Sequence, residues 1–182
     1  LSCTILDGCV ALSQSEGIIK QVNVPKFTFV IRVVWRNAIV LFHNILIVPV
    51  VFLIFGNKIT TNILYVVPAI MILIASLCWL SFLLSIICAR FRDVTQIINS
   101  LLQVVFYLTP IVWMPTHVPE RASMILLNLN PVYHYMEIVR APVLGQEPTL
   151  LNWLVTISLT IIGWVVTLIV YERCYKKVSF WV

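Results

Sequence analysis

Charged side chains are scarce in this 182-residue sequence: only 10% are Asp, Glu, Lys or Arg, against roughly 25% in an average soluble domain. Residues 63–89 carry no charge at all. As a helix they would be about 40 Å long, which exceeds the ~30 Å hydrocarbon layer of a bilayer. No soluble core needs an uncharged helix of this length, so we expect a polytopic membrane protein. A hydrophobic content of 61% and a mean hydropathy of +1.03 agree.

Carboxylates are rarer still, and none of the seven lies at the centre of a predicted span. A proton- or sodium-coupled carrier usually keeps ionisable groups at membrane depth, and a membrane hydrolase needs clustered acids or histidines. Neither pattern occurs, so we expect no catalytic residues. No glycine-rich phosphate loop occurs either, so the chain itself does not bind ATP in that way.

Paired cysteine motifs are also missing. The five cysteines are scattered and include no CxxC, which predicts neither a disulfide framework nor a metal site. The net charge of +5 comes from basic residues at the ends of predicted spans, which favours membrane topology and contact with anionic lipids over nucleic-acid binding.

The apolar runs predict an all-α membrane protein with four transmembrane helices. They cover residues 33–55, 63–89, 94–113 and 152–171. Asp93 is placed to cap the third span. Residues 1–10 are too short and too polar to span alone, so we interpret them as the tail of a truncated helix and the chain as the C-terminal part of a longer protein.

Basic residues fix the orientation. Nine lie on one side of the predicted spans and three on the other, and the richer side is cytoplasmic. The C-terminus is therefore expected in the cytoplasm. The nine are Lys20, Lys26, Arg32, Arg36, Arg90, Arg92, Arg173, Lys176 and Lys177, and the three are Lys58, Arg121 and Arg140.

The outer segment 115–151 is too apolar for an ordinary loop. Asn130-Pro131 is typical of a helix N-cap followed by proline at the first helical position. We predict two short helices, 120–129 and 131–141, that dip into the outer leaflet and return. They would border a pathway or form a purely structural hairpin.

Polar groups within the spans have two interpretations each. His43-Asn44 could line a pore or make an interhelical hydrogen bond. A stripe on the third span could face a hydrated path or another helix. Outer aromatic residues suit a sugar ring and equally suit interfacial anchoring. The stripe is Gln96, Asn99, Ser100, Gln103 and Tyr107, and the aromatic residues are Phe106, Tyr107, Trp113, Tyr133 and Tyr135.

Six short segments, in order along most of the chain, form a recognisable set: 17–26 (GIIKQVNVPK), 89–93 (ARFRD), 106–115 (FYLTPIVWMP), 129–133 (LNPVY), 140–145 (RAPVLG) and 179–182 (SFWV). Together they resemble type-2 ABC exporter permeases, specifically the group that exports O-antigen and related surface polysaccharides.

The resemblance implies a single permease domain over residues 1–182, cut short at its start, from a six-span protein of the bacterial inner membrane. It implies a homodimer enclosing a channel, two separate ATPase subunits that hold ATP and Mg²⁺, and a lipid-linked polysaccharide as cargo. The segment 15–30 would be the cytoplasmic coupling segment, and 115–151 the outer gate. The coupling candidates are Ile19, Lys20, Val24, Pro25 and Lys26, and the path-lining candidates are Gln103, Tyr107, Trp113, Tyr133 and Tyr135.

Other functions remain open at this point. A membrane enzyme acting on polyprenyl-linked sugars would need acid and base groups from outside this sequence. A secondary transporter or channel would need no ATPase. A type-2 ABC permease for a drug or small lipid is the nearest alternative.

Overall fold

The computed structural model describes residues 1–22, 24–55, 61–110 and 128–181. All regular structure in these ranges is helical, which confirms the all-α prediction for them. The helices are α1 (Ser2–Gln14), α2 (Glu16–Gln21), α3 (Phe27–Ile45), α4 (Ile47–Phe55), a 3-10 helix (Thr61–Tyr65), α5 (Val66–Arg90), α6 (Val94–Leu108), α7 (Pro131–Val143) and α8 (Leu150–Trp181).

Three helical stretches are long and apolar enough to cross a membrane: Phe27–Ile54, Thr61–Arg90 and Leu150–Cys174. The first begins before the expected residue 33 and breaks at Leu46 between α3 and α4. Pro49 explains the break, because it has no N–H to donate to the carbonyl four residues earlier and its ring clashes with that carbonyl.

The predicted third span is only partly visible. Helix α6 has 15 residues and ends at Leu108, which gives about 22 Å of length. Thr109 is extended because it precedes Pro110 and is excluded from the helical region. Residues 111–113 lie outside the described part of the chain, so a fourth crossing over 94–113 stays a prediction.

Helix α5 is the centre of the bundle, with α1 and α8 packed along it. The α1–α5 contact is close because Gly8 faces Ser81: a Cβ on Gly8 would lie 2.6 Å from the Ser81 Cβ. The Ser81 hydroxyl donates a hydrogen bond to the Thr4 carbonyl at 3.2 Å. Small residues of this kind let membrane helices approach each other.

Helix α7 corresponds to the second predicted short helix. Asn130 caps it by accepting a hydrogen bond from the Val132 N–H at 3.0 Å, and Pro131 occupies the first turn, as predicted. The helix ends in a Schellman motif, with Gly145 at φ 79° and the Gln146 N–H donating to the Ala141 carbonyl. The other predicted short helix, 120–129, lies almost wholly outside the described residues, so the re-entrant hairpin stays a prediction.

Candidate functional site

Two regions at opposite ends of the bundle contain most of the predicted site residues. At one end, a buried apolar cluster joins the C-terminal ends of α1, α5 and α8 to the N-terminal end of α3. We call it the basal cluster. The helices therefore alternate in direction, as successive membrane crossings require. The basal cluster contains Ala11, Leu12, Phe29, Val30, Val34, Phe82, Ile86, Ala89 and Val178.

The coupling candidates lie on the basal cluster in two layers. Ile19 and Val24 are half-buried and pack directly against it. Lys20 and Pro25 are exposed, and the Lys20 ammonium forms an ion pair with the Glu16 carboxylate. The segment thus offers an outer surface to solvent and an inner surface to the helix ends.

Lys26 is buried, whereas a residue that docks a partner protein would be exposed to solvent. Only 7% of it is exposed, and it stands at the N-cap of α3. Burial lowers the pKa of its ammonium from the usual 10.5, because a low-dielectric environment disfavours the charged form. Its side chain belongs to the inner layer, which the sequence pattern did not indicate.

The path-lining candidates do not form one surface. Gln103 and Tyr107 are exposed on α6 and border a shallow depression of about 190 Å³ with Ser2, Leu6 and Asn99. Tyr135 instead lines an apolar cavity of about 310 Å³ that also contacts Phe106. Tyr133 is half-buried beside His134, and Trp113 lies outside the described residues.

Tyr135 belongs to a hydroxyl cluster that joins three helices. The Ser76 hydroxyl on α5 donates to the Tyr135 oxygen at 2.9 Å and lies 2.6 Å from the Thr160 Oγ1 on α8. The Tyr135 hydroxyl in turn donates to the Thr156 carbonyl at 3.3 Å. This tyrosine therefore fixes α7 against the bundle and also presents its ring to the cavity.

The polar stripe of α6 is not covered by the described part of the chain. Gln96, Ser100 and Gln103 are exposed, and Tyr107 is 76% exposed. The opposite face packs inwards through Ile98 and Leu102. The stripe is therefore available to a hydrated path or to another helix, the two interpretations that its spacing allows.

Sequence reasoning missed two polar contacts. His134 is fully buried on α7, where its Nδ1 lies 2.8 Å from the Asn152 Oδ1 of α8 and its Nε2 lies 3.1 Å from the Asn128 carbonyl oxygen. Asp7 on α1 accepts hydrogen bonds from Arg36 at 2.6 Å and Asn37 at 2.9 Å, both on α3. An acid within an apolar helix was the available signal, since such a group needs a partner.

Two other sequence expectations turn out differently. Asp93 does occupy the N-cap of α6, but its side chain makes no capping hydrogen bond, because its own backbone is helical where a capping residue is usually extended. His43 and Asn44 are both exposed, so the interhelical hydrogen bond considered for them does not form within the described part of the chain.

The family model described as ABC-2 type transporter matches residues 22–144. Its match covers residues 22–30 of the coupling segment, α3 to α6 and α7. A comparison with curated proteins found no match.

Proposed function

The chain belongs to the ABC-2 type transporter family, and from that premise we propose that it is the permease subunit of an exporter of lipid-linked polysaccharide in the bacterial inner membrane. A separate ATPase supplies the energy and holds ATP and Mg²⁺. The permease acts as a homodimer, with its C-terminus in the cytoplasm.

One observation supports the coupling step above all: the coupling segment rests on the basal cluster. Ile19 and Val24 pack where the ends of α1, α3, α5 and α8 meet. A displacement of this segment by an ATPase therefore acts on all four helices at once. Because packed interfaces shift between discrete arrangements rather than deform continuously, such a displacement can change the relative positions of the spans.

The open face of α6 supports a glycan cargo. Gln96, Gln103 and Tyr107 place amide and phenol groups along one exposed side of the helix. Neutral donors and acceptors of this kind can exchange hydrogen bonds with successive sugar hydroxyls, and aromatic rings can pack on the apolar faces of sugars. A second copy facing this stripe would enclose a hydrated path.

A permease for a drug or small lipid is the second candidate, and the cavity beside Tyr135 favours it. The cavity has about 310 Å³ and is lined mainly by apolar side chains, including Leu73, Leu80 and Phe106. Pockets of this size and polarity suit a small amphiphile. A polymer could not be accommodated there.

Substrate-specific transport distinguishes the two candidates. The chain and its ATPase are reconstituted in liposomes, and export of a lipid-linked glycan is compared with export of a fluorescent amphiphile. Gln103→Leu should reduce glycan export several-fold, while Val104→Leu, a change at the adjacent exposed position, should leave it intact. If Leu80→Phe, which fills the cavity, stops transport and Gln103→Leu has no effect, the substrate is a small amphiphile.

Coupling is tested in the same liposomes. Pro25→Glu changes the exposed outer layer of the coupling segment and should lower ATPase stimulation and export together. Glu172→Gln, an exposed change near the same end of α8, serves as the control. Normal stimulation and export in the Pro25 variant would show that the ATPase does not act through this segment.

A further inference from the structure

A groove between α1, α2 and α3 is lined by two arginines of α3. We call it the basic groove. It has a volume of about 500 Å³ and borders the coupling segment through Ser15, Ile18 and Phe29. None of the five coupling candidates or of the path-lining candidates lines it. Its polar lining consists of Gln14, Ser15, Arg32 and Arg36.

The two arginines lie one helical turn apart on the same face of α3. Arg36 is neutralised in part by Asp7, which pairs with one guanidinium nitrogen at 2.6 Å. Arg36 nevertheless keeps other N–H donors, since a guanidinium has five. Arg32 has no ion-pair partner among the described residues and is exposed. The groove therefore carries one uncompensated positive charge and several free donors.

The groove also has an accessible apolar lining, from α3 itself and from α2. Trp35 is 66% exposed, Ile39 is 55% exposed and Ile18 is 50% exposed. Arg32 and Arg36 lie about 8 and 14 Å along α3 from Phe27, where the first candidate span begins. Arginine side chains at such depths extend towards the interface. Cationic donors and apolar surface thus meet near one boundary of the membrane.

We propose that the basic groove binds the phosphate or diphosphate headgroup of a membrane lipid, with the hydrocarbon chain lying against Trp35 and Ile39. Arginine matches phosphate oxygens through paired hydrogen bonds, and the apolar lining selects a lipid over a free anion. On the proposed function, the bound group is the diphosphate that links the glycan to its isoprenoid carrier.

Asp7 competes with the headgroup for Arg36. An incoming phosphate and the Asp7 carboxylate compete for hydrogen bonds from the same guanidinium. Because both are negatively charged, they also repel each other. Removing the carboxylate charge should therefore tighten lipid binding. The Asp7→Asn variant should therefore increase the affinity for the lipid, whereas loss of an arginine should decrease it.

The test measures lipid binding to the purified chain in phosphatidylcholine nanodiscs by native mass spectrometry. The probes are undecaprenyl diphosphate, phosphatidylglycerol and sodium diphosphate. Arg32→Gln should weaken binding of the diphosphate lipid about tenfold, the equivalent of about 1.4 kcal/mol. Arg32→Lys should restore part of the affinity, and Asp7→Asn should increase it. Arg173→Gln, an exposed arginine on α8, is the matched control.

The binding results either overturn the proposal or identify the lipid that the groove prefers. Equal binding by the Arg32→Gln and Arg173→Gln variants, both folded as judged by melting temperature, would overturn the proposal. Equal affinity for sodium diphosphate and the lipid would also overturn it, since the apolar lining would have no role. A preference for undecaprenyl diphosphate supports the carrier as the source, whereas equal binding of phosphatidylglycerol supports the bulk membrane.

The outcome is separable from that of the proposed function. If ATP-driven glycan export occurs but lipid binding does not depend on Arg32, only the basic groove is refuted. If lipid binding depends on Arg32 but no glycan is exported, only the polysaccharide function is refuted.

Discussion

The hydroxyl groups of Tyr135 and Ser76 lie 2.9 Å apart and join the short helix α7 to the central helix α5. The Ser76 hydroxyl donates to the Tyr135 oxygen, and the Tyr135 hydroxyl donates to the Thr156 carbonyl of α8. Both hydroxyl groups therefore have partners within the bundle. The position of α7 depends on these bonds and on the His134–Asn152 contact.

Tyr135→Phe should lower the free energy of unfolding by about 0.5–1.5 kcal/mol, because the hydrogen bonds of the Tyr135 hydroxyl are lost while the ring packing is kept. Tyr133→Phe is the control, since the structure gives the Tyr133 hydroxyl no hydrogen bond among the described residues. Thermal unfolding in detergent measures both. Equal melting temperatures for the two variants would contradict the hydroxyl cluster.

Gly8→Ala should separate α1 from α5 and cost about 1–3 kcal/mol, the usual range for overpacking. The new methyl would lie 2.6 Å from the Ser81 Cβ. Gly17→Ala, in α2, is a matched control because no atom lies within 4 Å of its added methyl. It should be neutral or slightly stabilising, since alanine favours the helix. A destabilised Gly17 variant and an unaffected Gly8 variant would refute the α1–α5 packing.

The free energy of unfolding should increase as the pH rises towards 10, because of the buried Lys26 ammonium. Its pKa is lowered by burial in the folded state, so between that value and the unfolded value of 10.5 the unfolded chain binds more protons. Stability then increases with pH across this window. Lys26→Met should remove that part of the pH dependence, whereas Lys20→Met, at an exposed ion pair, should preserve it. Parallel pH curves for wild type and Lys26→Met would show that the ammonium is not buried.

Opposite ends of the bundle should label from opposite sides of the membrane. In a cysteine-free variant, Gln146→Cys should react with an impermeant maleimide in intact spheroplasts. Gln21→Cys should react only after the cells are broken. Both positions are exposed, and they lie at the outer and basal ends. The reverse labelling pattern would invert the proposed topology.

The long helices could be predicted from the sequence because hydropathy and proline positions are local properties. The apolar run before Arg90 and the Asn130-Pro131 cap both have their effect within a few residues. The start of α3 at Phe27 differs from the predicted residue 33, since Arg32 looks like a residue outside a span. The Asp7 partner of Arg36 becomes apparent only from the arrangement of α1 beside α3.

The site was less predictable, because its geometry depends on contacts distant in sequence. The family resemblance alone predicts a coupling role for residues 15–30, and the burial of Lys26 requires the basal cluster. Similarly, the grouping of Ser76, Tyr135 and Thr160 joins three helices far apart in the chain, and none of these residues carries a local signal of its partners.

The most direct test of a permease for lipid-linked polysaccharide is ATP-driven transport in liposomes that contain only this chain and its ATPase. The measured quantity is the fraction of a lipid-linked glycan that becomes accessible to a glycosidase in the opposite compartment. We predict that this fraction rises with ATP and stays at background with a Walker-lysine variant of the ATPase. Equal accessibility with the active and inactive ATPase would contradict the account.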